Sequence, residues 1–589
     1  MIRRSFAFHP ANLALVALAL LCLLLFRNSD FLWLEGVLLV LTLGFVAIAG
    51  RRLNLSARPP AWCAALRSIS RRPSLACLLP ALASVVLRLS LLPWLPIPNP
   101  VVPDEYSHIL LAKTFLLGRM ANPAHPLWQH FESIHILSQP TYSSMYMAGQ
   151  ACFLALGQLV FGNLFWGVVL STALFCGALT WFLRAYVPPG WALFGGLLAA
   201  VRIGGASYWN DSYWGGSAGA LGGAMVLGAY PRLVRTWKPG PAIVFAAGLV
   251  VLANTRPWEG AWLGVVLVLG LLRSLWASRV RVASSRLVLS VGLAVLFLAV
   301  SGWAMTRHWK AVTGSALTLP YQINQRTYGW PLTLPWTKVT PVEYRHPELA
   351  LYRDFEIGEH RQITVPSAIP IGLLLKYAVN LRFFFGVALC ATFLFTVRIL
   401  RDRRTRSVWL AGTIVGLAVI TEQTGYPHYL SPAAPVVILF IVQGLRHLAL
   451  CGKGRVGFGP AVVRVALPFY VVLLLARVVA PASGAAAVPN FASWCCVDMG
   501  ARDRAPIVDR LRALPGDHLV IVTYDFAKYD TVEWVYNEPD IDHAKIVFAR
   551  DMGERENQKL MQYYPNRRVW RVRVGKDHVA QLQSPPGSM

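Results

Sequence analysis

Two adjacent acids, Asp104 and Glu105, follow Pro103 in a stretch that carries four of the chain's 13 histidines: His108, His125, His130 and His135. Glu132 lies in the same stretch. If residues 104–117 form a helix, Asp104 and His108 are i,i+4 neighbours and Glu105 and His108 are i,i+3, so these side chains meet on one face. A carboxylate there can act as general base, with His108 orienting it or holding a charge. The plainer alternative is that Pro103-Asp104 caps an interfacial helix and the imidazoles are simply hydrated. Glu132 and His135, three residues apart, could also join Asp104 or Glu105 around a divalent cation. No HExxH, CxxC or EF-hand pattern supports a metal, and that question stays open.

Cations able to meet a phosphate are the second feature. Arg256 stands in Asn254-Thr-Arg-Pro-Trp-Glu-Gly260 between two apolar runs. A cation at membrane depth is costly and faces a partner or a cavity; the guanidinium fork suits a phosphate. A structural ion pair with Glu259, three residues on, is the alternative, and the two are compatible. Tyr208-Trp-Asn-Asp-Ser-Tyr-Trp-Gly-Gly216 sets Asp211 among four aromatics, which can stack on sugar faces or form an interface belt. Tyr426-Pro-His-Tyr-Leu-Ser-Pro432 offers His428 and Tyr429 at the start of a late apolar run. Lys376 and Arg382 suit a lipid phosphate, or snorkelling at the interface. Gly215, Gly216, Gly219, Gly222 and Gly223 allow close helix packing. No Walker or GxGxxG pattern points to a nucleotide.

These groups must be carried by something, and composition says what. The chain has 589 residues, 56% hydrophobic and 14% charged, against about 45–50% apolar and about 25% charged in soluble domains. Apolar runs long enough for about 30 Å of hydrocarbon are read at 11–26, 31–50, 74–97, 166–186, 190–203, 215–230, 241–254, 258–277, 287–306, 383–398, 407–421, 430–446 and 461–483. The first follows Met1-Ile-Arg-Arg4, but Leu24-Leu-Phe-Arg27 offers no small-residue cleavage site, so it reads as a retained anchor. The segments 1–10, 51–73, 184–190, 231–240, 271–286, 398–406 and 446–464 hold 25 basic residues against one acid, Asp402. By the positive-inside rule they are cytoplasmic. This leaves 98–141, 204–214, 254–260, 307–382, 422–429 and everything after 484 outside. Parity then requires that the run at 142–163 not cross simply; a re-entrant or interfacial helix would serve. The net charge of +27 is therefore a topology signal, not a nucleic-acid footprint.

After Pro481-Ala-Ser-Gly-Ala-Ala-Ala-Val-Pro489 the composition changes: residues 490–589 hold 14 basic and 14 acidic side chains. Strands are expected at 518–524, 545–549 and 568–574 and helices at 503–514 and 554–563, a small α/β domain. Of the nine cysteines, Cys495 and Cys496 are adjacent, a poor geometry for bonding each other. The expected architecture is an all-α polytopic membrane protein of about 13 transmembrane helices with a small C-terminal α/β extracytoplasmic domain. Its parts are 1–73 (two N-terminal spans and a basic cytoplasmic loop), 74–483 (the membrane domain, with external loops 98–141 and 307–382) and 484–589.

The order Pro103-Asp104-Glu105, then Ser138-Gln139-Pro140, then an apolar segment ending Gly157-Gln-Leu-Val-Phe-Gly162 resembles the start of a GT-C glycosyltransferase. The likeness is to the branch of lipid A aminoarabinose transferase, protein O-mannosyltransferase and Rgt-type enzymes, over roughly 75–450. It implies a bacterial inner-membrane enzyme that uses a polyprenyl-phosphate sugar as donor and a lipid, glycan or protein as acceptor, with its site and C-terminal domain facing the periplasm and no nucleic-acid partner. It implies Asp104 as catalytic base with Glu105 beside it; with the residues read above, the substrate-binding candidates are His108, Glu132, His135, Gln139, Asp211, Arg256, Glu259, His428 and Tyr429. A divalent metal is the one cofactor in view. Relatives often carry Glu-Lys-Pro where this chain has Ser138-Gln139-Pro140, so whatever that lysine does for a donor phosphate falls to another residue or to none, and Arg256 is the candidate. A transporter or lipid-glycan flippase is the alternative, and would gather its polar groups near mid-membrane on broken helices. An envelope scaffold working through the terminal domain is a third reading.

Overall fold

The computed structural model describes residues 9–24, 32–52, 61–276, 284–451, 458–480, 504–525, 533–575 and 580–583. The 481–489 linker, Cys495 and Cys496 lie outside the described residues. Each of the thirteen apolar runs contains helix, as the absence of buried polar backbone in lipid demands. Among the described residues six helices are long and apolar enough to cross a membrane: Pro73–Ser90, Phe165–Leu183, Pro257–Trp276, Ser285–Thr313, Ser431–Leu448 and Phe458–Val479. A seventh is a pair, Pro347–Thr364 and Ile369–Phe384, bent by 101°. The count of about 13 is thus not reached on length. Helices such as Pro189–Arg202, 14 residues, rise only about 1.5 Å per residue, and apolar sequence reports burial in protein as well as in lipid.

Helix Ser284–Thr313 exposes Val288, Leu289, Val291, Val295, Leu296, Val300 and Trp303, a face that water would not tolerate on this scale. The chain is an integral membrane protein. Helices Phe165–Leu183 and Ser217–Thr236 are buried along most of their length and form the centre of the bundle. Glycines allow this packing. A Cβ on Gly222 would meet Gly248 O at 3.1 Å, and one on Gly223 would meet Pro432 O at 2.0 Å. The 142–163 run becomes a strand, Thr141–Ser144, and a 14-residue helix, Ala148–Phe161, with a left-handed Gly162 closing it.

The first external loop folds on itself. Strands Asn122–Pro123 and Ile136–Leu137 both pair antiparallel with Thr141–Ser144. The C-terminal segment forms a four-stranded sheet from Ile546–Arg550, His518–Tyr524, Arg568–Val574 and Ala580–Gln583, in that spatial order. The first three are parallel and the last is antiparallel. Helices Arg504–Ala513 and Glu554–Tyr563 accompany it.

This sheet unit is packed on the loop. Tyr106 stacks on Tyr536 at 4.0 Å between centroids. His125 Nε2 lies 3.0 Å from Asp542 Oδ1, and His130 Nδ1 lies 3.1 Å from the Arg550 carbonyl. Arg550, buried, ion-pairs with Glu533 and donates Nε to the Glu132 carbonyl at 2.7 Å.

Candidate active site

Helix Pro103–Leu116 begins where the sequence requires. Pro103 suits the first turn because its missing N–H has no helical partner there. Glu105 reaches back to cap the start: Oε2 accepts from the Val101 and Val102 amides at 2.7 and 3.1 Å. Its Oε1 accepts from the Tyr213 amide at 2.7 Å. Expected as a second catalytic carboxylate, Glu105 is instead bound up in backbone bonds that tie the loop to the 203–216 connection. Burial pushes its carboxyl up to about 7 against those bonds.

Asp104 faces the other way and keeps 20% of its side-chain surface exposed. Tyr146 Oη donates to its Oδ1 at 2.5 Å, and His135 Nδ1 lies 3.5 Å from its Oδ2. Burial works against the charge. The His135 charge and the hydrogen bonds from His135 and Tyr146 outweigh it and hold the carboxyl below the usual carboxylate range. Helix-start placement helps in the same sense. His108 lies against the Tyr146 ring at 4.6 Å, with its Nδ1 buried and unpartnered. Burial, with Arg256 nearby, takes His108 down to about 4, so it is a neutral ring.

His135 adopts φ +63°, a left-handed backbone that a non-glycine residue rarely holds. Its carbonyl accepts from Ser107 Oγ at 2.7 Å and from the Met145 amide at 3.3 Å, which fixes the strained turn. Its Nε2 meets Tyr352 Oη at 2.6 Å, and Tyr352 in turn donates to Glu356 Oε1 at 2.8 Å.

Arg256 caps helix Pro239–Thr255 and lies over the Tyr429 ring at 4.6 Å. Among the described residues its guanidinium has no hydrogen bond and no ion pair within 4 Å. The alternative pairing with Glu259 is not a contact ion pair: Glu259 is buried with its Oε1 unpartnered, yet it lies within electrostatic reach of Arg256. Gly219 leaves the space that the Arg256 stem and Ser431 occupy. Tyr321, Tyr429 and His428 each lie within electrostatic reach of both Arg256 and Asp104. Tyr321 also meets Tyr146 edge-on at 5.6 Å. His428 is buried against Trp214 and Tyr429, with Nδ1 3.0 Å from Tyr208 Oη. The arrangement is a carboxylate and a guanidinium sharing one set of aromatic neighbours.

No protein-family model and no curated protein matches the sequence. Among solved structures, the chain is similar to the crystal structure of the Archaeoglobus fulgidus oligosaccharyltransferase complexed with Zn and sulfate. The identity is 13% and the TM-score 0.46, over 85% of this chain and 67% of that one. It is similar to AglB of the same organism in complex with an inhibitory peptide and a dolichol-phosphate, at 12% identity and TM-score 0.46, over 87% and 74% of the two chains. It is also similar to ArnT from Cupriavidus metallidurans bound to undecaprenyl phosphate, at 15% identity and TM-score 0.44, over 84% and 92%.

The other sequence candidates fall elsewhere. Glu132 is buried and accepts from Arg345 at 2.7 Å and Tyr328 at 3.1 Å, with His346 Nε2 at 3.2 Å. It joins the two external loops rather than facing Asp104. Asp211 pairs with the fully buried Arg88 at 2.6 Å; burial still pushes its carboxyl up to about 6. Gln139 is exposed. Lys376 donates to the Ile420 and Glu422 carbonyls, and Arg382 is fully buried. Among the described residues no three His, Cys, Asp or Glu side chains form a metal-ligand set. Asp104 and His135 make a pair only, so the residues present do not fit the divalent metal considered from sequence. Tyr146, Tyr321, Tyr352 and Glu356 were not singled out from the sequence. The i,i+4 pairing of Tyr352 and Glu356 on helix Pro347–Thr364 was the available signal.

Proposed function

We propose that this chain is an inverting glycosyltransferase that moves a sugar from a polyprenyl-phosphate donor to an extracytoplasmic acceptor hydroxyl. The observation that carries the reading is that Asp104, partly exposed and held ionised, shares aromatic neighbours with Arg256, a guanidinium over Tyr429 with no acid within 4 Å among the described residues. Asp104 takes the proton of the acceptor hydroxyl as its oxygen attacks the anomeric carbon. The bond from that carbon to the phosphate oxygen breaks, and Arg256 offsets the charge left on the departing phosphate. A single displacement inverts the anomeric centre. A carboxylate this well stabilised is a weak base, so the acceptor must displace the Tyr146 hydrogen bond as it binds. Tyr321, Tyr429 and His428 supply faces against which a sugar ring can stack. The site and the terminal domain face the outside of a bacterial inner membrane in this reading, as the 25 basic residues of the opposite loops support.

The test is mass spectrometry of lipid extracted from the purified protein, together with transfer assays on Asp104→Asn. A polyprenyl-phosphate sugar in the extract and loss of transfer in a correctly inserted variant are expected. Full activity of Asp104→Asn overturns the assignment of the base.

A further inference from the structure

Asp104 and Glu356 are joined by one hydrogen-bond chain whose protons can be counted. Glu356 is buried, and everything around its carboxylate donates: Tyr352 Oη to Oε1 at 2.8 Å and the Leu332 amide to Oε2 at 3.3 Å. The Gln423 amide, with its nitrogen facing the carboxylate, adds a third donor at 3.3 Å. The one hydroxyl proton of Tyr352 is directed to Glu356. At the other end the one hydroxyl proton of Tyr146 is directed to Asp104. Both phenol oxygens then face His135 as acceptors: Tyr352 at Nε2, 2.6 Å away, and Tyr146 at Nδ1, 3.1 Å away. The count closes only when both ring nitrogens of His135 carry a proton. The groups that face this ring are Asp104 and His108 from helix Pro103–Leu116, Tyr146, and Tyr352 from helix Pro347–Thr364, with Glu356 of the same helix behind Tyr352. Tyr321 stands behind Tyr146 and Glu359 beyond Glu356.

We infer that Tyr352 and Glu356 are positioning residues for Asp104. They act through His135, which bridges two carboxylates by way of two tyrosines and so couples the second external loop to the base of the first. The inference rests on the reading of Asp104 as the base. Glu356 holds the positive ring in place through Tyr352, and the ring fixes the Asp104 carboxylate in the rotamer that meets the acceptor. Loss of either distal group frees His135 and leaves a base that is present but not aimed. A buried network of this kind fails as a unit when one member is lost, and misaim lowers turnover more than ground-state binding.

Two readouts test it on the full-length protein in detergent. The first is ¹⁵N-histidine NMR, with the His135 signal identified as the one missing in His135→Asn. Wild type is expected to show both ring nitrogens protonated, and Tyr352→Phe and Glu356→Leu to change that signal. A neutral ring in wild type overturns the inference. The second is sugar transfer from radiolabelled undecaprenyl-phosphate glucose, galactose or mannose to native envelope extract. Turnover in Tyr352→Phe and Glu356→Leu is expected to fall about 10- to 100-fold, up to the cost of a misplaced catalytic group, with the KM for donor unchanged. Glu356→Gln, which keeps an oxygen for Tyr352, should recover part of the loss. Turnover within about twofold of wild type in both variants overturns the inference. Should Asp104→Asn itself stay active, the reading of the base fails, while the NMR result stands on its own.

Discussion

Tyr146 Oη lies 2.5 Å from Asp104 Oδ1 and donates to it. This bond is one of the influences that keep the carboxyl ionised against burial, so removing it has a definite sign. In Tyr146→Phe the Asp104 carboxyl moves up, and the acid limb of the kcat/KM profile moves to higher pH with it. The same depressed carboxyl adds stability above the unfolded value, about 3.9, and loses it as pH falls through the folded value. Tyr146→Phe should therefore also flatten the acid side of the stability curve. An acid limb that stays put, followed by transfer assays between pH 3 and 7, counts against this coupling.

Arg256 lies over the Tyr429 ring, with Glu259 and Glu422 in electrostatic reach but no carboxylate within 4 Å among the described residues. Arg256→Ala should raise the KM for a polyprenyl-phosphate donor by about 10- to 100-fold, the loss of one charge-assisted contact of about 1.5–3 kcal/mol. Arg256→Lys should recover only part of it, since an ammonium lacks the planar fork and stacks poorly. Titration of detergent-solubilised protein with undecaprenyl phosphate measures the difference.

Glu105→Gln separates the two adjacent acids. One amide cannot accept from the Val101, Val102 and Tyr213 backbone groups on both its ends, so one buried N–H is left facing an NH2. We expect a loss of about 1–3 kcal/mol, read as a lower Tm. Any fall in transfer should follow the loss of folded protein and not a change in the pH profile.

Gly223→Ala tests the packing beneath the site. The added Cβ would lie 2.0 Å from the Pro432 carbonyl oxygen, a backbone atom that cannot swing aside. Overpacking of this kind costs about 1–3 kcal/mol or more. Because Pro432 follows His428 and Tyr429 closely, donor affinity should fall together with Tm. Gly240→Ala, which has open space around it, is the control.

Arg550→Met examines the grip of the terminal sheet on the first loop. It leaves Glu533 buried without its cation and the Glu132 carbonyl without its donor. Breaking a buried pair from one side costs about 3–5 kcal/mol. Limited proteolysis should then release the C-terminal segment first.

Much of this was legible in the chain, and for physical reasons. Apolar run length marked where helices form but not how many of them cross, and the alternation at 568–574 and the apolar blocks at 518–524 and 545–549 gave strands that match Arg568–Val574, His518–Tyr524 and Ile546–Arg550. Which of two adjacent acids meets the backbone was not legible, since Asp104 and Glu105 differ only in the direction that a helical turn gives them. Nor was the partner of His135 in view. Tyr352 lies more than 200 residues further on, and a hydrogen bond across that separation leaves no periodicity. The roles of His125 and His130 were hidden in the same way; their partners, Asp542 and Arg550, belong to the far end of the chain.

Tyr106 and Tyr536 stack although roughly 430 residues separate them, which at about 5–20 residues per second is on the order of 20–90 s of synthesis. The ribosome finishes Asp104 early, yet the helix that carries it gains its outer cover only when the last hundred residues arrive. Completion of the site thus waits on the sheet unit that carries Tyr536, and a chain stalled before residue 536 would hold a base with no wall behind its helix.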